Sequence, residues 1–290
     1  MDRSSIKVMG LGDNVIDRFT QRGVYYPGGN GVNFAVFAKQ LGADSSFVGV
    51  FGNDGPAEHI QHSLHDQGIS TQHSVTKEGE TGWCDVLVVD GDRVFGEWNE
   101  GGITVSDPYV FDDAALEYAE GKDLIHMAVY GGVDSQLPRL AELGSLISYD
   151  FSDEEENRTA EFLTTVAPYV DLASFSLSEM EWDECRRFAE RVVEAGAKSC
   201  LFTRGADGAG FYDGEHHFQV DAAEAEAIDT MGCGDSFITS FCISLLQKGW
   251  TKNSVPGVQA INKALSDAAL FAAGQTQVEG AYGCAKEISA

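Results

Sequence analysis

The feature that most constrains the fold is an alternation of short apolar runs with segments of helical periodicity along most of the chain. This alternation is typical of a parallel β-sheet with helices on both faces, which is an α/β fold. In such sheets ligands bind at the carboxyl ends of the strands. The predicted core strands are residues 6–11, 47–51, 124–127, 146–150, 172–175 and 199–203.

The 290 residues suffice for one sizeable core, and the net charge of −27 limits the partners of the protein. Such a charge argues against nucleic acids and anionic membranes, because their phosphates would be repelled over most of the surface. The first apolar run is too short for a signal sequence or a membrane span. The six cysteines show no metal-ligand spacing. We therefore expect one cytoplasmic domain over residues 1–290 that holds any phosphate locally.

One segment interrupts the alternation. Residues 82–89 and 93–98 are two β-rich runs joined by Asp90-Gly91-Asp92, which is a hairpin signal. We therefore predict an inserted hairpin at about residues 81–100. From the sequence alone it could equally cover a ligand site or extend an edge of the main sheet.

The strongest chemical signal is the glycine-rich segment 229–237, which leads into a predicted buried helix. Gly232 and Gly234 leave backbone N–H groups unobstructed at the helix N-terminus, where the helix dipole favours an anion without any basic side chain. Asp235 in the first turn is then positioned to accept the proton of a hydroxyl that attacks a phosphoryl group. The alternative is that Asp235 or Ser236 only caps the helix.

A second polar cluster lies near the N-terminus. Asp13 and Asn14 follow the first strand, and residues 27–33 introduce a helix that includes Asn33. Because Asp accepts hydrogen bonds and Asn both donates and accepts them, these side chains suit a polyhydroxylated ligand. The alternative is a turn and helix cap.

Taken together, the two clusters resemble the signatures of the ribokinase-like (PfkB) carbohydrate kinases over nearly the whole chain. The matching residues are Gly12-Asp13, Gly28-Gly29 with Asn33, and Asp229-Thr230 with Gly232, Gly234 and Asp235. The segments 12–14, 92–96, 150–153 and 229–237 are most similar to fructoselysine 6-kinases. The resemblance implies a ribokinase-like three-layer αβα sandwich with a small β lid, and ATP-dependent phosphorylation of a sugar or fructosamine hydroxyl.

The resemblance also assigns roles to individual residues. Asp235 would be the catalytic base beside an anion hole formed by Gly232, Cys233 and Gly234. The residues that would bind the sugar are Asp13, Gly28, Gly29, Asn33 and Arg93. The residues that would bind the nucleotide are Thr203, Gly205, Gly208 and Gly280.

Two residues depart from the family pattern. Ser176 replaces the Asn of an Asn-x-x-Glu motif associated with Mg²⁺, whereas Glu179 is retained as the metal-associated residue. Cys233 stands where a small Ala is usual, although its backbone N–H can serve equally well. A Mg²⁺ ion bridging the nucleotide phosphates is still expected. The need for a monovalent cation stays open, and a homodimer through the lid strands is implied by analogy.

Three alternative functions remain. The first is a PfkB-type kinase for another sugar or nucleoside, such as fructose or ribose, and the second is a non-catalytic sugar sensor, which would be expected to lack Asp235. An enzyme of another class that binds a dinucleotide is disfavoured, because the glycine-rich motif lies late in the chain and lacks the G-x-G-x-x-G layout.

Overall fold

The computed structural model describes residues 6–89 and 92–288, apart from the side chains of Val88, Val89, Asp92 and Arg93. Its central sheet has nine strands: β1 (Lys7–Gly12), β4 (Asp44–Phe51), β5 (Val75–Thr76), β8 (Leu124–Ala128), β9 (Leu146–Asp150), β10 (Leu172–Ser176), β11 (Cys200–Thr203), β12 (Ala209–Tyr212) and β13 (His217–Val220). They lie in the order β13-β12-β11-β10-β9-β8-β1-β4-β5. All neighbours are parallel except β12, which is antiparallel to both β11 and β13.

A second sheet of five strands stands apart from the first. Its members, in spatial order, are β14 (Lys286–Glu287), β3 (Val24–Gly28), β2 (Val15–Phe19), β6 (Gly82–Val89) and β7 (Asp92–Trp98). The β6–β7 hairpin therefore joins this second sheet and does not extend the edge of the central sheet. The sequence pattern did not predict β2, β3 or β14, although β2 and β3 form the middle of the second sheet together with β6.

Helices cover both faces of the central sheet. Their bounds are α1 (Asn30–Gln40), α2 (Gly55–Asp66), α3 (Ile103–Ser106), α4 (Asp113–Glu120), α5 (Leu137–Ala141), α6 (Ala160–Val166), α7 (Trp182–Glu194), α8 (Cys233–Leu246) and α9 (Val258–Gln275). Among the described residues, no helix is long and apolar enough to cross a membrane.

Alternate side chains of each central strand point to opposite faces, and each face has its own core. In β1, Met9 and Leu11 pack in a cluster with residues of α4 to α7, whereas Val8 packs in another cluster with α1, α8 and α9. Because both faces are buried, the strands appear in the sequence as mainly apolar runs without the alternation of a half-exposed strand. The prediction of a three-layer αβα sandwich is confirmed, and the six predicted core strands correspond to β1, β4, β8, β9, β10 and β11.

Gly10 allows α1 to approach β1 closely. A Cβ atom at Gly10 would lie 1.9 Å from the carbonyl oxygen of Gly31 in the first turn of α1. The obstacle is backbone, so no rotamer change could relieve the contact. The absence of a side chain at Gly10 therefore fixes the depth at which the start of α1 sits on the sheet.

We expect Gly10→Ala to destabilise the protein by about 3 kcal/mol, because α1 must move away from β1. The expected decrease in melting temperature is roughly 5–10 °C for a chain of this size. Gly144→Ala is a matched control, since Gly144 is exposed outside the helices and strands and a Cβ there would have no neighbour within 4 Å among the described residues. Equal melting temperatures for the two variants would contradict the prediction.

Candidate active site

Asp235 lies in the first turn of α8, at the edge of the central sheet where the parallel strands end. The helix begins after Gly232, whose φ of 70° is left-handed, and a Cβ there would lie 2.8 Å from that of Ala281. The N–H of Cys233 donates to the carbonyl of Thr230 at 3.2 Å. The N–H groups of Gly234 and Asp235 follow in the first turn, where helix geometry supplies no acceptor.

Asp13 caps α1 from a distant part of the chain. Its two carboxylate oxygens accept hydrogen bonds from the backbone N–H groups of Asn30 at 2.5 Å and Gly31 at 3.1 Å. The side chain is only 2% exposed. Gly29 immediately precedes the helix, and its carbonyl accepts a hydrogen bond from the N–H of Asn33. The carboxyl end of β1 and the start of α1 are therefore joined through Asp13.

Two amide side chains of α1 connect the start of α1 with the start of α8. The Nδ2 of Asn30 donates to Asp150 and to Asp235, at 2.9 Å in each case. The Nδ2 of Asn33 donates to the other carboxylate oxygen of Asp235 at 2.7 Å. Asp150 is the last residue of β9, and Asp13 follows the last residue of β1. The network therefore joins the carboxyl ends of these two strands to the first turns of α1 and α8.

Burial raises the pKa values of the three carboxyl groups, and repulsion by neighbouring carboxylates adds to the effect at Asp13 and Asp150. Burial raises the pKa of Asp13 to about 6 and that of Asp150 to about 7, and in both cases the negative charge of Asp235 adds to the effect. The pKa of Asp235 is also raised by burial, which the hydrogen bonds from Asn33 and Asn30 only partly offset. Within the described residues, no Lys or Arg forms an ion pair with these three carboxylates.

The raised pKa values also affect folding. The folded protein binds more protons than the unfolded chain between about pH 4, the ordinary Asp pKa, and about pH 7. The contribution of these groups to stability is therefore present below about pH 4 and is lost as the pH rises to about 7. Ionisation of these carboxyl groups therefore lowers the free energy of unfolding.

The predicted nucleotide-binding turn follows β11. Thr203 is the last residue of that strand, Gly205 begins a short 3₁₀ turn, and Gly208 ends it. At the other predicted nucleotide segment, the N–H of Gly280 donates to Asp229 at 3.0 Å. Asp229 also accepts a hydrogen bond from the N–H of Met231 at 2.8 Å, which ties the C-terminal segment to the start of α8.

Glu179, the predicted metal-associated residue, forms an ion pair with Arg158. Burial favours the protonated form of Glu179, but a hydrogen bond from its own N–H and the neighbouring Arg158 and Arg204 together hold its pKa below the ordinary value. Across residues 6–89 and 92–288, no group of three or more His, Cys, Asp or Glu could hold a metal ion. A metal here would therefore need other ligands, such as phosphate oxygens and water.

The structure brings together Asp13, Gly29, Asn33 and Asp235, all of which were predicted from the sequence. It adds Asn30 and Asp150, which were not assigned a role. Asp150 could have been found as an acid at the end of a predicted strand. Gly28 ends β3 beside the carboxylate of Asp17, and the side chain of Arg93 lies outside the described residues.

Comparisons with known proteins identify the family of the chain. The family model described as pfkB family carbohydrate kinase matches residues 13–288. The chain belongs to the pfkB family of carbohydrate kinases. Fructosamine kinase FrlD of Bacillus subtilis (strain 168) is 37% identical over 279 residues, which cover 96% of this chain and 93% of that protein. Fructoselysine 6-kinase of Escherichia coli (strain K12) is 29% identical over 272 residues, which cover 94% and 98%.

The fold of this pfkB family member is shared with solved kinases. A fructokinase from Xylella fastidiosa with bound ATP superimposes with a TM-score of 0.77 at 18% identity, covering 96% of this chain and 95% of that one. The match confirms the predicted ribokinase-like fold. The prediction that the chain is a carbohydrate kinase is likewise confirmed by the family.

Proposed function

We propose that this enzyme transfers the γ-phosphoryl group of ATP to a hydroxyl of a fructosamine such as fructoselysine. The observation that carries the proposal is the network in which Asn30 joins Asp150 and Asp235 beside the buried Asp13. The identity of 37% to a fructosamine kinase supports the substrate class. ATP as the donor is supported by the shared fold of a kinase that contains ATP.

The charge of the site favours an amino sugar over a neutral sugar. Three neighbouring carboxylates repel one another, and in the described part of the chain no basic side chain pairs with them. A neutral sugar offers hydroxyl donors but does not reduce that repulsion. The amine of a fructosamine is cationic when protonated, so its binding compensates the negative charge at short range.

The mechanism assigns proton transfer to Asp235. Its carboxylate accepts the proton of the sugar hydroxyl as that oxygen attacks the phosphoryl group. Asn30 and Asn33 hold both carboxylate oxygens in place, while the first-turn N–H groups of α8 stabilise the charge on the transferring group. Asp13, Gly29 and Asp150 would orient the sugar hydroxyls.

Mg²⁺ bound to the nucleotide phosphates would neutralise charge on them during transfer. The donor set of the chain fits a metal held mainly by phosphates and water, because the carboxylate of Glu179 is already paired with Arg158. We assign Thr203, Gly205, Gly208 and Gly280 to nucleotide binding because their turns lie at the same edge of the sheet as α8.

The second sheet would act as a lid over the sugar, because β2 begins two residues after Asp13 and β3 ends immediately before Gly29.

The outer strand of the second sheet, β7, exposes Phe95 (62%) and Trp98 (54%). We assign this edge to a homodimer contact, since an exposed strand edge readily pairs with another strand. Light scattering would show a dimer for the wild-type protein and a monomer for a Phe95→Asp/Trp98→Asp variant. A wild-type monomer would contradict the assignment.

The substrate class can be tested with a panel of acceptors. ADP formation would be measured with fructoselysine, fructose, ribose and a nucleoside at equal concentrations. We expect the highest kcat/KM with fructoselysine, and we expect its advantage over fructose to diminish in an Asp150→Asn variant. If fructose or ribose were preferred, the fructosamine assignment would be wrong, although the enzyme would remain a sugar kinase.

The raised pKa values predict how the activity depends on pH. As the pH falls below about 7, Asp150 and then Asp13 become protonated, and the negative site on which a cationic substrate depends is lost. We expect kcat/KM for fructoselysine to be roughly tenfold or more lower at pH 6 than at pH 8. ADP should be quantified by chromatography to avoid pH effects on coupling enzymes. A constant kcat/KM between pH 5.5 and pH 8 would contradict this prediction.

A further inference from the structure

Two buried guanidinium groups lie near the carboxyl ends of β10 and β11. The side chain of Arg158 is only 8% exposed; it forms the ion pair with Glu179 and donates to the carbonyl of Ser176 at 3.0 Å. Arg204 is 7% exposed and follows the last residue of β11. Its guanidinium lies 4.9 Å from the ring centre of Trp182 and 3.3 Å from the carboxylate of Asp207.

Both arginines retain an unused hydrogen-bond donor. In the described part of the chain, five buried side-chain nitrogen or oxygen atoms have no hydrogen-bond partner, and two of them are the Nε atoms of Arg158 and Arg204. A buried charged group that lacks part of its hydrogen bonding is costly. Because Asp207 and Glu179 are themselves more than half exposed, neither compensates a buried guanidinium well.

This arginine pair is connected to the catalytic network by adjacent residues. The N–H of Ser176 donates to the carbonyl of Ser152, and the N–H of Ser152 donates to Asp150, each at 3.0 Å. Asp150 in turn shares Asn30 with Asp235. Thr203, Gly205 and Gly208, which are assigned above to the nucleotide, lie on either side of Arg204 in the chain, so the arginine pair lies at the proposed nucleotide site.

We propose that Arg158 and Arg204 bind the phosphate chain of the nucleotide, and that Glu179 competes with phosphate for Arg158. The inference rests on the proposed function. Guanidinium groups form short, strong hydrogen bonds with phosphate oxygens. In a chain with a net charge of −27, two buried cations beside the catalytic network provide the local positive charge that a polyphosphate requires. The phosphate site then depends on basic side chains as well as on the start of α8.

The proposal can be tested by calorimetry of ADP binding without sugar and with EDTA present, so that neither turnover nor metal contributes. We expect Arg158→Gln and Arg204→Gln each to weaken ADP binding by about 10- to 100-fold, the range for hydrogen bonds to charged groups. Arg158→Lys should restore part of the loss. Arg186→Gln is the matched control, because it removes the same charge from an exposed position on α7 and should bind ADP normally.

Glu179→Gln provides a readout that misfolding cannot imitate. Removing the competing carboxylate should tighten metal-free ADP binding by about threefold or more, because Arg158 is then available to phosphate. Weaker metal-free binding in this variant, or unchanged binding in both arginine variants, would overturn the inference. If those variants bind normally while the wild-type enzyme phosphorylates sugar, the proposed function stands. If the wild-type protein binds no adenine nucleotide, both are wrong.

Discussion

Replacing Asp235 with Asn is expected to lower kcat by roughly 10²–10⁴-fold, the range for removing a positioned general base. The amide cannot accept the proton of the sugar hydroxyl, while its size preserves the packing at the start of α8. Binding of sugar and nucleotide should change much less than kcat, because the residues assigned to them remain. The measurement is ADP formation at saturating concentrations of both substrates, with the dissociation constants determined separately by calorimetry.

The fold of the Asp235→Asn variant should be retained. Asp235 is ionised at a cost, since burial raises its pKa, so removing the charge should leave the melting temperature at pH 8 unchanged or higher. Asp235→Ala would exclude an effect of the new amide on Asn30 and Asn33. A kcat within threefold of wild type in both variants would remove Asp235 from the role of base.

Asn30→Asp is expected to produce the second largest loss, because it places a fourth carboxylate between Asp150 and Asp235. Two charges about 4 Å apart interact by about 4 kcal/mol in a partly screened site, which corresponds to roughly 10²–10³ in the fraction of Asp235 that is ionised near neutral pH. We expect kcat/KM at pH 7 to fall by that factor. It should partly recover as the pH rises towards 9, because all carboxyl groups then ionise.

The control for Asn30→Asp is Asn262→Asp, which adds the same charge at an exposed position on α9. Its activity and its pH profile should match those of the wild type. If Asn30→Asp retained wild-type kcat/KM at pH 7, Asn30 would not link the two carboxylates in solution.

The central sheet could be predicted from the sequence because its strands are buried on both faces. Leu146–Asp150 and Leu172–Ser176 are mainly apolar, with small serines between the larger side chains, and local pattern identifies such buried strands. The strands β2 and β3 were missed because Val15–Phe19 contains Asp17 and Arg18, and because Val24–Gly28 contains Pro27. These short strands are stabilised by pairing with distant segments, which local pattern does not reveal.

The site was predictable where a motif lies on contiguous residues, as around Asp235. It was not predictable where side chains from separate elements meet. Asn30 appeared as part of a turn, and only the packing of α1 beside α8 shows that its amide serves two carboxylates 120 and 205 residues away. Similarly, nothing in the sequence indicates that Arg158 reaches Glu179.

The connection between the two sheets has a consequence for the proposed lid. The chain passes from Asp13 directly into β2 and returns through β3 directly into Gly29, with no flexible linker at either junction. Any tilt of the smaller sheet must therefore displace two parts of the site. These are the carboxylate of Asp13, which caps α1, and the backbone of Gly29, which immediately precedes α1. In the proposed lid, opening of the cleft and weaker sugar binding would consequently be a single motion, with the hinge inside the proposed sugar site.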